Sequence, residues 1–491
     1  MRKQPEVDRV PTKPWRGLIF APCLLLSALV ACDGLLDVNL PAQLTDDALT
    51  DPAGAQVQVN TVIGHFEDGF DFHTYRTFGR EDAGEVYLCG PMCNVSHYMT
   101  DNPHFTQMSM SLGFAQELRE RLTNDWTVAQ VPQRDRFLAI SSLYEGATLG
   151  WMGSNLCEAA INGGSLLTPG EVLQMAEQSL TRALGEIASA GGDFALPHGI
   201  ASSAESMAYG LRAQVRWMAE DFTGALADAE RVPSGFVAWV TRDAGPQRWN
   251  RGWTSGSGGG FFELYDPIGW WQGLPNPLTG ESWPEVIPFT GYTFLGILPD
   301  GRAVHENGIP VRTQAGWMNS HGVAAGAVID TRVRHRTATI QGKQGEGEVA
   351  DKFTGEDSDI PLVNWKEMVL IRAEIEGGQR AIDLVNELRA ADNLPLVTYA
   401  DPSDEEEIRY MIIEERRRAL FNEARFFYTK LKNLDLLWFP RDVGGTRAQN
   451  HSLRGGIRYT MPVTEYVANV NLTTSDMATG CAPHERPVNP F

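Results

Sequence analysis

Residues 203–233 read SAESMAYGLRAQVRWMAEDFTGALADAERVP, and this stretch decides the fold class. Two alanine-rich segments flank Glu220-Asp221-Phe222. Ala208, Ala213, Ala225 and Ala229 are small, and small side chains let two helices approach closely. Phe222, at the junction, is placed to wedge between them. The stretch therefore predicts a tight helical hairpin.

Working outward, the same pattern returns at 368–395, MVLIRAEIEGGQRAIDLVNELRAADNLP, with Gly377-Gly378 at the turn. Both hairpins resemble a tetratricopeptide helix pair, which carries alanines and an aromatic in similar places. Phe114, Leu118, Leu122 and Trp126 recur every four residues, and Leu138, Ile140, Leu143 and Tyr144 repeat the pattern within 136–152. Thr168-Pro169-Gly170-Glu171 is a helix start: N-cap, proline at the first position, and glutamate at the third to close a capping box. A helix is predicted from Trp365. Another is predicted over 405–434, with Ile408, Met411, Ile412, Ala419, Leu420, Phe427, Leu431 and Leu434 as its apolar stripe. The fold class is mainly α.

Two regions break the helical pattern. Residues 61–110, rich in Gly, Asp, His and aromatics, read as irregular. Residues 241–345 hold SGSGGG at 255–260, many prolines, and Trp249, Trp253, Trp270, Trp271, Trp283 and Trp317. A segment this long without periodicity is unusual in a compact domain and often carries function. An indole face stacks on the C–H face of a sugar ring or on a peptide side chain, whereas most tryptophan surface is simply buried. Trp253, Trp270, Trp271 and Trp283, with Tyr98, are the candidate ligand-binding residues.

At the N-terminus, five basic residues precede an uncharged run from Gly17 to Val30, which ends in Leu29-Val30-Ala31-Cys32. The run is shorter than the roughly 20 residues of a membrane span and has the make-up of a secretory signal. Its end resembles a bacterial lipobox, making Cys32 the expected lipidation site and 1–31 a removable leader. The remaining organisation is 32–240 helical, 241–345 loop-rich, and 346–491 helical with a tail.

The chain of 491 residues carries a net charge of −21, a balance that repels nucleic acid and anionic headgroups. Membrane attachment is expected through lipid alone. Four cysteines follow Cys32, namely Cys89, Cys93, Cys157 and Cys481, and they allow three disulfide pairings that sequence does not choose between. Cys89 and Cys93 bracket the Gly90-Pro91 turn signal.

No G-x-S-x-G, P-loop or H-E-x-x-H occurs. No cofactor or catalytic residue is predicted. His65, Glu67, Asp68, Asp71 and His73 cluster within nine residues; they read as a solvated loop, with a metal site the sharper alternative. Glu414-Glu415-Arg416-Arg417-Arg418 reads as a helix face laced with i, i+3 and i, i+4 ion pairs, with an anion site as the alternative.

Five stretches, in order, resemble the SusD/RagB family of surface nutrient-binding lipoproteins. They are CDGLLDVNLPAQLTDDALTDPAGAQVQVN after the lipobox, the 208–232 helix pair, DTRVRH at 330–335 leading into DKFTGEDSDIPLVNWKEMVLIRAE, EERRRALFNEARFF at 414–427, and YTMPVTEYVANVNL at 459–472 with Pro462, Glu465 and Asn469 in place. Ala419, Ala424 and Phe426 depart from the family, which often has Glu, Gly and Arg there. The resemblance implies tetratricopeptide-like helix pairs as scaffold and long irregular loops as ligand face. It implies capture of oligosaccharide, or of peptide, without catalysis, and delivery to a TonB-dependent outer-membrane transporter from a lipid-anchored position, with the cell surface as the expected side. A lipid-anchored glycan hydrolase and a structural helical-repeat lipoprotein of envelope assembly are the alternatives.

Overall fold

Three glycines on one helix let two neighbouring helices rest on its backbone. Helix α3 (Arg134–Asn155) is buried almost throughout from Phe137 onward. A Cβ at Gly146 would lie 2.6 Å from Leu180 Cγ, one at Gly150 2.9 Å from Val215 Cγ2, and one at Gly153 2.8 Å from Leu173 Cγ. These contacts seat α4 (Pro169–Ser189) and α5 (Ala204–Met218) directly on the α3 backbone. The computed structural model describes residues 50–80, 84–86, 103–245, 248–258, 262–264, 295–305, 328–341, 345–433, 441–442, 452–453, 458–459 and 461–476.

Two helices precede α3. Helix α1 (Ala55–Arg80) and helix α2 (Pro103–Glu120) pack on each other, which corrects the irregular reading over 61–80 and 103–110; most of 81–102 lies outside the described residues. Val59, Val62, Ile63, Phe66 and Phe70 of α1 are buried at helical spacing. Glu67, Asp71, His73, Thr74 and Thr77 are buried on the same helix, and these inward polar residues break the hydropathy period that would mark it.

From α3 the helices pack in succession. Helix α4 begins with the predicted capping box between Thr168 and Glu171. Helix α5 packs on α6 (Phe222–Ala229), α6 on α7 (Trp365–Glu376), and α7 on α8 (Gly378–Ala391). Gly377 and Gly378 make the last turn with φ of 64° and 50°, a region open to glycine. The scaffold is thus mainly helical, with helix pairs as expected. Phe222, however, does not wedge into its hairpin: it is 42% exposed.

Helices α6 and α7 touch although the chain between them is long. The excursion leaves through strand β1 (Val237–Val240) and returns through β2 (Ile360–Asn364), which pair antiparallel. Gly210 of α5 faces Val363 so closely that a Cβ would sit 2.2 Å from its Cγ1. The intervening segment therefore leaves and returns through a two-strand neck, and the helical array resumes after it.

The helix expected over 405–434 is two helices, α9 (Glu405–Ala419) and α10 (Phe426–Lys432). Asn422 and Ala424 lie at φ 58° and 60°, which no helix accommodates. The break divides the stripe. Ile408, Met411, Ile412 and Leu420 join α7 and α8 in a second core, whereas Phe427 belongs to the main core, which draws residues from Ala55 to Leu472.

The C-terminal segment returns to α3. Tyr459 N donates to Asn155 O at 2.7 Å, and Cys157 N donates to Tyr459 O at 2.8 Å. Cys157 is disulfide-bonded; every other cysteine, and so its partner, lies outside the described residues. A short helix α11 (Val463–Ala468) follows, and Asn469 Nδ2 donates to Gly164 O at 2.8 Å.

Candidate functional site

Among the described residues, the 241–345 insertion meets the scaffold at three footings. The first is at its outgoing end. Glu67, Asp68 and Asp71 project from successive turns of α1, and three arginines from 242–251 meet them. Arg248 Nη1 is 2.9 Å from Glu67 Oε2, and Arg251 Nη1 is 2.7 Å from Asp68 Oδ1. Arg251 N donates to Asp71 Oδ1 at 3.0 Å, and its guanidinium lies 3.7 Å over the Phe72 ring. The Arg242 side chain, 1% exposed, sits 3.7 Å from Glu67 and 3.6 Å from Asp71. Glu67 Oε1 also accepts from Thr241 N and Oγ1, both at 2.8 Å.

These carboxylates thus belong to a helix and are taken up by arginines. The reading of His65–His73 as a solvated loop is corrected, and no metal-ligating group of three or more side chains occurs among the described residues. Burial pushes the Asp71 carboxyl above its ordinary range, outweighing Arg242 and Arg251. Burial likewise lowers the Arg242 guanidinium against the pull of Asp71 and Glu67.

The second footing is Gly301, whose carbonyl accepts from Arg389 Nη1 of α8 at 2.6 Å. Its φ is 90°, and a Cβ would meet Leu396 O at 2.6 Å. Both the conformation and the space require glycine.

The third footing takes the returning end. Arg332 pairs with Asp330 at 2.9 Å and with Glu415 of α9. Glu415 also takes Arg389 Nε at 3.0 Å, and Arg418 Nε lies 3.3 Å from Asp330. All five side chains are buried. The 414–418 run therefore faces inward rather than toward solvent. Its i, i+3 and i, i+4 pairs exist, but Glu415 and Arg418 also reach across to the insertion. Burial pushes Glu415 up, yet Arg332, Arg389 and Arg418 together hold it well below the usual carboxylate range. Asp330 is likewise lowered by Arg332 and Arg418 despite its burial.

Beside the first footing lies a cleft of about 530 Å³, lined by Asn60, Gly64, Glu67, His198, Arg242 and Arg248 among others. It presents amide, imidazole, carboxylate and guanidinium groups side by side, a set of donors and acceptors that suits hydroxyl-rich ligands. Trp253 lies in the same segment. Asn250, fully buried, accepts from Trp253 N at 2.9 Å and donates to Ser358 O at 2.8 Å. The indole is half-buried against the main core, so part of it stays open. Trp270, Trp271, Trp283, Tyr98 and Cys32 lie outside the described residues. The lining residues Asn60, His198, Arg242 and Arg248 were not among the sequence candidates. The one trace in the sequence is that three acids at 67, 68 and 71 are matched in number by three arginines of opposite charge at 242, 248 and 251.

No helix among the described residues is long and apolar enough to cross a membrane. No family model matches the chain, and no curated protein does. Solved structures do. The chain is similar to a SusD-like carbohydrate binding protein from Bacteroides vulgatus at a TM-score of 0.57 and 12% identity, over 90% of this chain and 100% of that one. It is similar to a SusD-like protein from Bacteroides fragilis at 0.54 and 14%, over 87% and 98%. A SusD homolog from Bacteroides thetaiotaomicron matches at 0.52 and 12%, over 87% and 97%. The chain has the SusD-like fold.

Proposed function

We propose that this SusD-like chain is a glycan-binding protein that captures oligosaccharide without turning it over, its ligand face built by the 241–345 insertion. The observation that carries the reading is the mounting of that insertion. A long, tryptophan-rich segment is clamped at both ends by buried ion pairs on a helical scaffold, as a rigid binding face requires. The similarity of the fold to a carbohydrate binding protein supports the choice of ligand class. Trp270 and Trp271 are adjacent, so on extended chain their rings point to opposite sides and one is free to stack on a sugar. Trp253, Trp283 and Tyr98 are the further candidates.

The test is calorimetry against a panel of oligosaccharides, with Trp→Ala at 253, 270, 271 and 283 singly and thermal melts as control. Loss of a stacking platform is expected to weaken binding roughly 5- to 150-fold. Wild-type affinity in all four folded variants would remove the site from this face, and product formation from any bound glycan would favour a hydrolase.

In the same reading Cys32 carries the lipid that holds the protein to the outer membrane, where it hands ligand to a TonB-dependent transporter. Stable anchoring takes more than one acyl chain. Cys32→Ser is therefore expected to move the protein from the membrane to the soluble fraction, and a membrane-bound Ser variant would refute the anchor.

A further inference from the structure

A second cleft, of about 720 Å³, opens on the helical array itself, where α6, the α7–α8 turn, α9 and α10 meet. It shares no lining residue with the cleft beside the insertion. Arg416 of α9 lines it. That side chain is 1% exposed, with its guanidinium 4.2 Å over the Trp217 ring. Its Nε lies 3.4 Å from Glu374 Oε2, beyond a well-formed bond, and Nη1 and Nη2 have no hydrogen-bond partner among the described residues. Glu374 is itself engaged, accepting from Trp217 Nε1 at 3.1 Å.

A buried cation with unused donors is costly and needs an explanation. Its neighbours give one. Phe222, which the hairpin leaves 42% exposed, stands at the rim as an apolar platform. Lys432 lies 5.2 Å from the Phe222 ring and pairs with the exposed Glu220 at 2.9 Å. Glu376 and Glu405 also line the cleft. The cleft thus brings together a guanidinium with unused donors, an apolar ring and carboxylates, the groups that would meet a ligand carrying a carboxylate, an apolar side chain and an amine.

We propose that this cleft is a second ligand site, which takes a free carboxylate on Arg416 and an adjoining apolar side chain on Phe222, the chemistry of a peptide's C-terminal end. Arg416 offers the carboxylate a planar, two-donor fork. A free amino group one or two residues back would reach Glu376 or Glu405, so short free peptides and the C-terminus of a longer chain are told apart by whether that amine matters. The acidity of the whole chain disfavours polyanions but not a ligand that brings its own positive charge.

The experiment is calorimetry on the full chain with three probes: the dipeptide Ala-Phe, N-acetyl-Ala-Phe, and Ala-Phe amide. Binding of one or both free acids, with the amide weaker by roughly 10- to 150-fold, is expected. A tighter dipeptide identifies free peptides as the ligand, and an equal or tighter acetyl form identifies a chain end. Arg416→Met keeps the stem on Trp217 and is expected to melt no lower than wild type, since exchanging a buried ion for an apolar side chain is often neutral or better, while losing the preference for the acid. Phe222→Ala, at an exposed position, is the second variant, expected to weaken binding about 2- to 10-fold without a change in fold. The proposal is overturned if neither acid binds at millimolar concentration, if the amide binds as tightly as the acid, or if folded Arg416→Met retains the acid preference. Should Arg416→Met fail to fold, the amide and Phe222→Ala remain decisive.

Discussion

Ala424 holds a conformation that an L-residue takes at a cost. At φ 60° its Cβ crowds the backbone, by about 1–2 kcal/mol. The sequence resemblance has glycine at this position, and the backbone explains why. Replacing Ala424 by Gly nevertheless brings little. The relieved strain is offset by about 0.4–1 kcal/mol of unfolded-state entropy and by roughly 0.8 kcal/mol for the buried methyl group, since Ala424 is 1% exposed. Ala424→Gly is expected to shift stability by less than about 1 kcal/mol in either direction. Ala424→Val adds β-branching where it is least tolerated and overpacks a buried site, and should cost more than about 2 kcal/mol. Denaturant melts of the two variants check this; equal stability would mean the position is not left-handed in solution.

At the scale of elements, glycine acts through what it leaves out. The three α3 glycines have no local signature in a helix, where glycine is merely unfavourable by about 1 kcal/mol. Gly153→Ala gains that propensity but puts a Cβ 2.9 Å from the Leu173 backbone nitrogen. Backbone cannot swing aside, so overpacking of roughly 1–3 kcal/mol should win. Gly185→Ala on α4, where a Cβ meets nothing within 4 Å, should stabilise by up to about 1 kcal/mol. Thermal denaturation of the pair is the check, and a stabilised Gly153→Ala would refute the close approach. The same contrast marks what was legible beforehand. The Thr168–Glu171 box is a local device, and it stands where the sequence placed it. Helix α1 was missed because Glu67, Asp71, His73, Thr74 and Thr77 face inward, their partners more than a hundred residues away for the two acids. The α9–α10 break was missed because an apolar stripe persists across a turn that reverses nothing in its spacing.

For the whole molecule, the footings of the insertion answer acid in opposite ways. Glu415 and Asp330 are held below their ordinary ranges in the fold. Their contribution is present above the unfolded carboxylate pKa and is lost as pH falls from there toward the folded values. Asp71 is raised, so its folded form binds protons more readily, and the cost of its buried charge is relieved as pH falls through its folded value. Acidification below about pH 4.5 should therefore loosen 328–341 while 241–251 holds. Hydrogen exchange read by mass spectrometry at pH 7 and near pH 4, corrected for intrinsic rates, separates the two segments. Equal loss of protection in both would contradict the assignment. The helical class and the hairpins were legible because each is encoded within some thirty residues. The clamps were not, because ion pairs such as Arg332–Glu415 join residues 83 apart and leave no periodicity.

The return of residues 459–472 to α3 has a consequence for the order in which the chain can be completed. Tyr459, Met461 and Tyr466 are part of the main core, and their partners Asn155, Cys157, Glu158 and Ala160 are made some three hundred residues earlier. A ribosome delivers α3 long before it delivers the segment that covers its end. Contacts of such separation form late and slowly, so this core stays incomplete until residues 459–472 have been made. For a chain proposed to be exported, that delay is useful: the polypeptide remains threadable through a narrow channel until 459–472 emerge to close this part of the core.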